Sequence, residues 1–233
     1  MKPADFLLLV KDPAKGKVKR RLGDGVGELH AARLYRTFVE DLLGTFGEAS
    51  VIPTICYYPA EAGDDILGWL GPRYRYLAQR GEDHPNRLRF AFEDMFAQGS
   101  DGVVILASDN PDLPAELLSL ASEALGHGDA VLGPTQDGGY YLVGFRRDAL
   151  VPEAFRDIDW STERVFRQTA DRIEKRGKSL KVLPLWYDVD TAADLRAMFR
   201  RSRSSGFRRS RTMEYLQRYP ELTAPRSGGE EDA

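Results

Sequence analysis

The chain alternates short apolar runs with longer segments in which apolar residues recur every three or four positions. The short runs are typical of strands buried on both faces, and the longer segments are typical of amphipathic helices. A strand-helix-strand order of this kind predicts parallel βαβ units whose helices cover both faces of one sheet. We therefore expect an α/β protein, a three-layer α/β/α sandwich around a mainly parallel mixed sheet.

The same pattern predicts where the elements begin and end. Strands are expected at 6–10, 51–58, 74–77, 102–107, 130–133, 140–145 and 181–185. Helices are expected at 29–46, 64–70, 86–98, 114–125, 161–175 and 191–200. The last helix has the clearest start, because Thr191 and Asp194 have the spacing of a capping box.

A change of composition divides the chain near residue 200. Six arginines and four serines lie within residues 200–211, a composition that does not build a hydrophobic core. We expect one domain over residues 1–200 and a polar, arginine- and serine-rich tail over residues 201–233. A short docking helix at 213–219 is the one element expected in this tail.

Charge and cysteine content narrow the functional classes. The 33 basic and 36 acidic side chains give a formal net charge of −3, which argues against nucleic-acid binding driven by overall charge. The longest apolar run, 6–10, is too short to cross a bilayer. Cys56 lies in an apolar run, so we expect a buried thiol in a cytoplasmic protein without membrane insertion.

The segment after the first strand is the most basic part of the chain, with six cations and one acid between Lys11 and Arg21. Ammonium and guanidinium groups beside turn amides suit a diphosphate or triphosphate, although a solvated basic loop is the plain alternative. The position favours phosphate binding, because ligands of open α/β sheets bind outside the carboxyl ends of the strands. The chain has no P-loop, and Glu28 stands where a dinucleotide-binding motif requires its last glycine.

Carboxylates follow two other expected strands. Asp109 comes directly after the strand at 102–107, and Asp190 comes after the last strand. Each has a structural alternative, since Asp109 can cap a turn and Asp190 can assist the start of the next helix. Together they suit Mg²⁺, which proteins hold with one or two carboxylates and the phosphates of a substrate.

A fourth loop contains Asp137, Gly138, Gly139 and Tyr140. Paired glycines let backbone amides approach a ligand, and a tyrosine ring can stack on a sugar or a base. We take Asp137 as the candidate base on the acceptor side. The alternative is a hairpin turn that feeds a tyrosine-rich strand.

Taken together, these segments resemble a family of glycosyltransferase-A-like (GT-A) proteins related to nucleotide-diphospho-sugar transferases, whose members include arsenosugar-biosynthesis glycosyltransferases. The matching motifs run in the family's order over residues 5–200: Val10–Leu22, Arg87–Phe92, Ser108–Leu113, Gly133–Gly144, Trp160–Thr162 and Asp188–Thr191. Two departures stand out. Relatives usually carry cysteine where this chain has Asn110, and a strict Asp-x-Asp metal motif is absent.

The resemblance implies a nucleotide-binding fold, and together with the loop chemistry above it gives a set of expected roles. Nucleotide and phosphate binding falls to Lys11, Gly16, Lys19, Arg21 and Ser108. Sugar or acceptor binding falls to Gly138, Gly139 and Tyr140. Mg²⁺ or Mn²⁺ is expected at Asp109 and Asp190, and the candidate catalytic residues are Asp109 and Asp137.

These roles favour a metal-dependent glycosyltransferase that uses a nucleotide-diphospho-sugar donor and a small-molecule acceptor. The resemblance extends to guanylyltransferase-like nucleotidyltransferases, which take a nucleoside triphosphate and release pyrophosphate on the same fold. Both reactions concentrate negative charge on leaving phosphates, and the same groups serve either. A non-catalytic nucleotide-binding module is the second alternative.

Overall fold

The computed structural model describes residues 3–14 and 18–224 of the chain. Within these ranges seven strands form one sheet in the order β3-β2-β1-β4-β6-β5-β7. The strands are β1 (Asp5–Lys11), β2 (Thr54–Tyr58), β3 (Arg75–Ala78), β4 (Gly102–Leu106), β5 (Ala130–Pro134), β6 (Tyr140–Arg146) and β7 (Leu180–Val182). Strand β6 runs antiparallel to both of its neighbours, and the other pairs are parallel. The mainly parallel mixed sheet is confirmed.

Helices cover both faces of the sheet, as the strand-helix alternation predicts. The eight α-helices of the described ranges are α1 (Arg20–Val26), α2 (Glu28–Glu48), α3 (Gly63–Leu70), α4 (His84–Ala97), α5 (Ala115–His127), α6 (Val165–Lys175), α7 (Ala192–Ser202) and α8 (Arg211–Arg218). In β1, Leu8 contacts the core under α2 and α5, whereas Leu7 contacts the core under α4 and α6. Neighbouring side chains on a strand point to opposite faces, so each strand supplies both cores of the three-layer sandwich.

A third apolar cluster packs helices α1 and α2 against helix α8. Leu22 of α1 and Phe38 of α2 pack with Met213 and Leu216 of α8. The Asp41 carboxylate also caps α8, accepting hydrogen bonds from the backbone N–H groups of Arg211 and Thr212, both at 2.9 Å. The composition of residues 200–211 predicted no core contribution from that segment, and helix α8, which follows it, packs into the third cluster. A domain boundary at residue 200 stays a prediction.

Two local expectations differ from the structure. The basic segment continues into helix α1, which lacks the apolar periodicity by which helices were identified. Helix α6 begins at Val165 instead of residue 161, because Ser161 has a φ of 64° and the hydroxyl of Thr162 donates to the Asp159 carbonyl oxygen. Residues 160–163 consequently form an irregular segment before α6.

No α-helix within residues 3–14 and 18–224 is both long and apolar enough to cross a membrane.

Candidate functional site

A cavity of about 510 Å³ lies at the carboxyl ends of β1 and β4. The sheet order changes direction between these two strands, and this is where open α/β sheets bind ligands. Nine of the expected site residues line the cavity: Lys11, Lys19, Arg21, Ser108, Asp109, Asp137, Gly139, Tyr140 and Asp190. Gly16 lies outside the described residues.

Lys19 connects the start of the chain to its middle and its end. Its ammonium group lies 2.5 Å from an oxygen of Asp109 and 2.8 Å from an oxygen of Asp190, and its side chain is only 4% exposed. Burial alone would lower the pKa of Lys19, but the two carboxylates outweigh burial and raise it above its usual value. The cation is therefore fixed in its charged form between two acids that follow it by 90 and 171 positions in the sequence.

The backbone of Lys19 is shaped for this contact. Lys19 adopts the left-handed conformation, with φ and ψ both 48°, at the first turn of α1. A lysine rarely adopts this conformation, and such residues persist where the surrounding contacts determine them. The ion pairs with Asp109 and Asp190 supply contacts of that kind.

A group of three carboxylates adjoins the Lys19 ion pairs. One oxygen each of Asp137, Asp188 and Asp190 lies within 4.8 Å of the others, close enough for all three to ligate one ion. Burial, followed by the charges of Asp109 and Asp137, raises the pKa of Asp188 to about 7. A hard divalent cation prefers oxygen ligands and would relieve this repulsion, so the residues present fit Mg²⁺ or Mn²⁺.

Asp109 stands apart from this group. It pairs with Lys19, whose charge holds the pKa of Asp109 below its usual value although partial burial would raise it. Asp190 belongs to both arrangements, since it contacts Lys19 and lies in the carboxylate group. The ligand set that the geometry offers is Asp137, Asp188 and Asp190, whereas the sequence argument named Asp109 and Asp190.

The segment 188–191 is held by hydrogen bonds to its own helix and to the loop after β4. The Asp194 carboxylate accepts from the N–H groups of Asp190 and Thr191 at 3.1 and 2.8 Å, which completes the expected capping box. The Val189 N–H donates to the Asp109 carbonyl oxygen at 2.9 Å, and Val189 is fully buried. Asp188 and Asp190 can therefore reach the cavity together.

Tyr35 of α2 ties two of the loops to each other. Its hydroxyl oxygen accepts from the Lys11 N–H at 2.8 Å and lies 3.0 Å from the Ser108 hydroxyl oxygen. Burial raises the pKa of Tyr35 to about 12, so it stays neutral as a hydrogen-bonding group. Ser108 is itself buried, and this bond occupies its hydroxyl.

The loop after β5 is built as a turn, and its residues have different surroundings. Asp137 Oδ1 accepts from the Thr135 hydroxyl at 2.6 Å and from the Gly139 N–H at 3.0 Å. Gly138 has a φ of 86°, and a side chain there would collide with the backbone of Glu163. Gly138 is absent from the cavity lining, and its structural effect is to let the turn pack against the segment before α6.

An aromatic wall closes the side of the cavity next to this turn. The Trp160 ring meets the His84 ring edge-on at 5.1 Å and the Tyr140 ring at 6.3 Å. The Tyr140 hydroxyl is buried away from solvent, so its ring is the part that a ligand can meet. Trp160, which precedes the helix expected at 161–175, lines the cavity.

The structure adds site residues that the sequence argument did not name in a role, among them Asp188, Tyr35 and Trp160. For Asp188, the sequence contains a pattern that could have identified it. In an extended segment alternate side chains share a face, so the pattern Asp-Val-Asp around an apolar residue places both acids on the same side. For Tyr35, no such pattern exists, because its spacing in α2 is that of an ordinary core residue.

Comparison with known proteins identifies one matching sequence family. Residues 43–162, more than half of the chain, match the family described as "Uncharacterized protein conserved in bacteria (DUF2064)". No curated protein sequence matches this chain.

One solved structure is similar in sequence as well as in fold. It comes from Desulfovibrio desulfuricans G20 and is provisionally assigned as a nucleotide-diphospho-sugar transferase. The two chains share 40% sequence identity with a TM-score of 0.90, over 96% of this chain and 97% of that chain.

Two other solved structures share the fold at low sequence identity. CMP:2-keto-3-deoxy-manno-octonic acid synthetase, complexed with CTP, has 13% identity and a TM-score of 0.53 over 84% of this chain and 97% of that chain. The inositol-1-phosphate CTP transferase of T. maritima has 14% identity and a TM-score of 0.54 over 83% of this chain and 92% of that chain. The architecture is that of the nucleotide-diphospho-sugar transferase fold.

Proposed function

From the premise that the chain belongs to the DUF2064 family of bacterial proteins, we propose that it is a metal-dependent transferase that uses a nucleotide-diphospho-sugar donor. The reaction is transfer of the sugar to a small-molecule acceptor. One observation carries the proposal: Lys19 meets carboxylates from two distant segments, Asp109 and Asp190, in a single cavity at the carboxyl ends of β1 and β4. The similarity to the Desulfovibrio protein supports the same class of donor. We keep the expectation of a cytoplasmic protein.

The phosphates of the donor would lie between the basic residues and the carboxylates. Lys11 and Arg21 line the cavity, and Arg21 is 71% exposed with its guanidinium 4.0 Å from Asp190. Both side chains are free to turn toward a diphosphate, which needs several donors and positive charge. Asp137, Asp188 and Asp190 would hold the divalent cation, which when bound supplies positive charge to the leaving diphosphate.

The aromatic wall suits the sugar or the acceptor. The rings of Tyr140 and Trp160 present apolar surfaces on which the C–H face of a sugar can stack. Asp137 lines the same cavity, so a group stacked on these rings would lie within reach of a carboxylate.

Asp137 has one of two roles in the proposed reaction: it accepts the proton of the incoming hydroxyl, or it is the third ligand of the cation. Asp137→Asn distinguishes them. A ligand role predicts weaker Mn²⁺ binding, whereas a base role predicts unchanged Mn²⁺ affinity with a lower kcat.

The test is a paired screen for binding and product. UDP-, GDP-, ADP- and dTDP-sugars and the parent triphosphates are added with and without Mg²⁺ or Mn²⁺, and melting temperature reports binding. Turnover is then followed as released nucleoside diphosphate or released pyrophosphate. The proposal predicts stabilisation by a nucleotide sugar that needs the cation, with release of nucleoside diphosphate. Asp188→Asn should lose both effects, and Asp171→Asn, an exposed acid on α6 away from the cavity, should keep them.

Nucleotidyl transfer is the second candidate. Among the residues that the structure describes, four cationic side chains, Lys11, Lys19, Arg21 and Arg87, line the cavity and match the greater charge of a triphosphate. Stabilisation by a triphosphate alone and release of pyrophosphate would replace the first proposal with the second. Cation-dependent binding without turnover of any donor would indicate a binding module.

A further inference from the structure

Asn110 is a fully buried amide next to the carboxylate group. Its side-chain N–H donates to Asp188 Oδ1 at 2.7 Å, while its own carbonyl oxygen, Oδ1, has no hydrogen-bond partner. An unpartnered buried acceptor costs stability, and most buried polar atoms in proteins are paired. Leucine has nearly the same shape without this cost, so packing alone does not account for an amide here.

The other two carboxylates of the group are also anchored through a single oxygen. Asp137 Oδ1 is held by Thr135 and Gly139 within the turn after β5. Asp190 Oδ1 is held by Lys19. Asn110 completes this pattern, because it gives Asp188 a fixed donor as well.

The donor matters most at Asp188. The charges of Asp109, Asp137 and Asp190 all act on this side chain. A mobile carboxylate in that position would rotate away from its neighbours toward solvent, so the group would be disordered before a cation arrives. A ligand held in advance binds its ion at a smaller entropic cost.

We propose that Asn110 is a positioning residue that holds Asp188 in place to bind a divalent cation. The inference rests on the proposed cation site and adds the residue that orders one of its ligands. Hydrogen-bond partners of ligand side chains typically change metal affinity by about 10- to 100-fold. We expect the loss of this one donor to weaken binding by about tenfold.

The experiment measures Mn²⁺ binding to the full chain by the loss of the free Mn²⁺ signal in electron paramagnetic resonance. Asn110→Leu keeps the shape and removes the donor. Ser202→Ala is the matched control, because Ser202 is also buried with an unpartnered side-chain oxygen but lies at the far end of α7 from Asp190. The melting temperature of each variant without metal is measured alongside.

Asn110→Leu should bind Mn²⁺ about tenfold more weakly while melting at or above the wild-type temperature, and Ser202→Ala should bind like wild type. A structural role alone would move stability and affinity down together, so the opposite directions identify positioning. If Asn110→Leu does not fold, Asn110→Ser replaces it, since serine is smaller and its hydroxyl is one bond shorter.

Two failures are distinguishable. Wild-type affinity in a folded Asn110 variant overturns the positioning role and leaves the cation site standing. Absence of Mn²⁺ binding in the wild-type chain overturns the cation site and this inference together.

Discussion

Removing the charge of Lys19 should destabilise the fold and expose the repulsion that it neutralises. Lys19→Met keeps the length and apolar stem of the side chain, so the change isolates the ammonium group. That group makes two short contacts, at 2.5 and 2.8 Å, with carboxylates from separate segments. Removing it leaves both acids facing Asp137 and Asp188 without an internal cation.

The expected loss of stability depends on how exposed the ion-paired side chains are. Breaking a fully buried ion pair costs about 3–5 kcal/mol, and breaking an exposed pair costs about 0–1 kcal/mol. Lys19 is 4% exposed, whereas the Asp109 and Asp190 side chains are 42% and 35% exposed and are partly hydrated after the change. We therefore expect a loss of about 2 kcal/mol, which for a chain of this length lowers the melting temperature by about 4–8 °C.

The assay is urea unfolding and thermal melting in EDTA, with Arg21→Met as the control. Arg21 is 71% exposed and 4.0 Å from the same Asp190, so its replacement should cost less than about 1 kcal/mol. Mg²⁺ should stabilise Lys19→Met more than it stabilises wild type, because the cation then compensates charges that the protein no longer neutralises. Equal destabilisation by the two variants would refute the electrostatic reasoning.

Three further predictions concern the core, the thiol and pH. Leu216→Ala in α8 should lower the free energy of unfolding in urea by about 2–5 kcal/mol, because Leu216 is fully buried in the third cluster. The control is Gln217→Ala, an exposed position, which should change the free energy of unfolding by less than about 0.5 kcal/mol. Equal effects of the two substitutions would mean that α8 does not pack on α2. Cys56 is fully buried, which raises its thiol pKa to about 12, so a thiol-specific chromogenic reagent should react at the rate of unfolding and not in seconds in native buffer. The folded-state pKa of Asp188, about 7, lies above its usual value of 3.8, so the folded state binds the extra proton between these values and loses this stabilisation as pH rises through 7. In EDTA, wild type should therefore lose about 1–2 kcal/mol more than Asp188→Asn between about pH 5 and pH 8, and parallel pH profiles would contradict the shift.

The layered fold and the convergence of the loops could be predicted from the sequence, because both depend on regular patterns. Alternating apolar runs identify buried strands, and parallel strands bring their carboxyl ends to one edge. That rule brought the basic segment after β1 together with Asp109 and Asp190, and the family resemblance selected Lys19 within that segment. The capping box at Thr191 and Asp194 was equally readable, since it depends on spacing within four residues.

The local geometry of the site could not be predicted, because contacts between distant segments determine it. The left-handed backbone of Lys19 depends on carboxylates that follow it by 90 and 171 positions. Ser161 likewise delays the start of the helix expected at 161–175, because its φ of 64° is rare for a residue other than glycine. Asp109 pairs with Lys19, whereas Asp188 lies with Asp137 and Asp190. Sequence spacing does not reveal this difference, because it depends on distances between side chains of separate segments.

Amino-acid composition did not predict how helix α8 packs. The arginines and serines of residues 200–211 suggested a polar tail, yet Met213 and Leu216 of α8 lie three residues apart on one helical face and belong to the third cluster. Ser210 and Asp41 cap the start of the helix, so polar residues there organise the packing.

Calorimetric titration of UDP, GDP, ADP and dTDP, in Mg²⁺ and in EDTA, tests most directly whether Lys19 and the distant carboxylates form one site for a cation and a polyanion. Mg²⁺ should raise the affinity of at least one nucleotide by about tenfold or more in wild type and in Asp171→Asn, and Asp190→Asn should abolish that gain. Equal affinity with and without Mg²⁺ in wild type, or an undiminished gain in Asp190→Asn, would contradict the shared site.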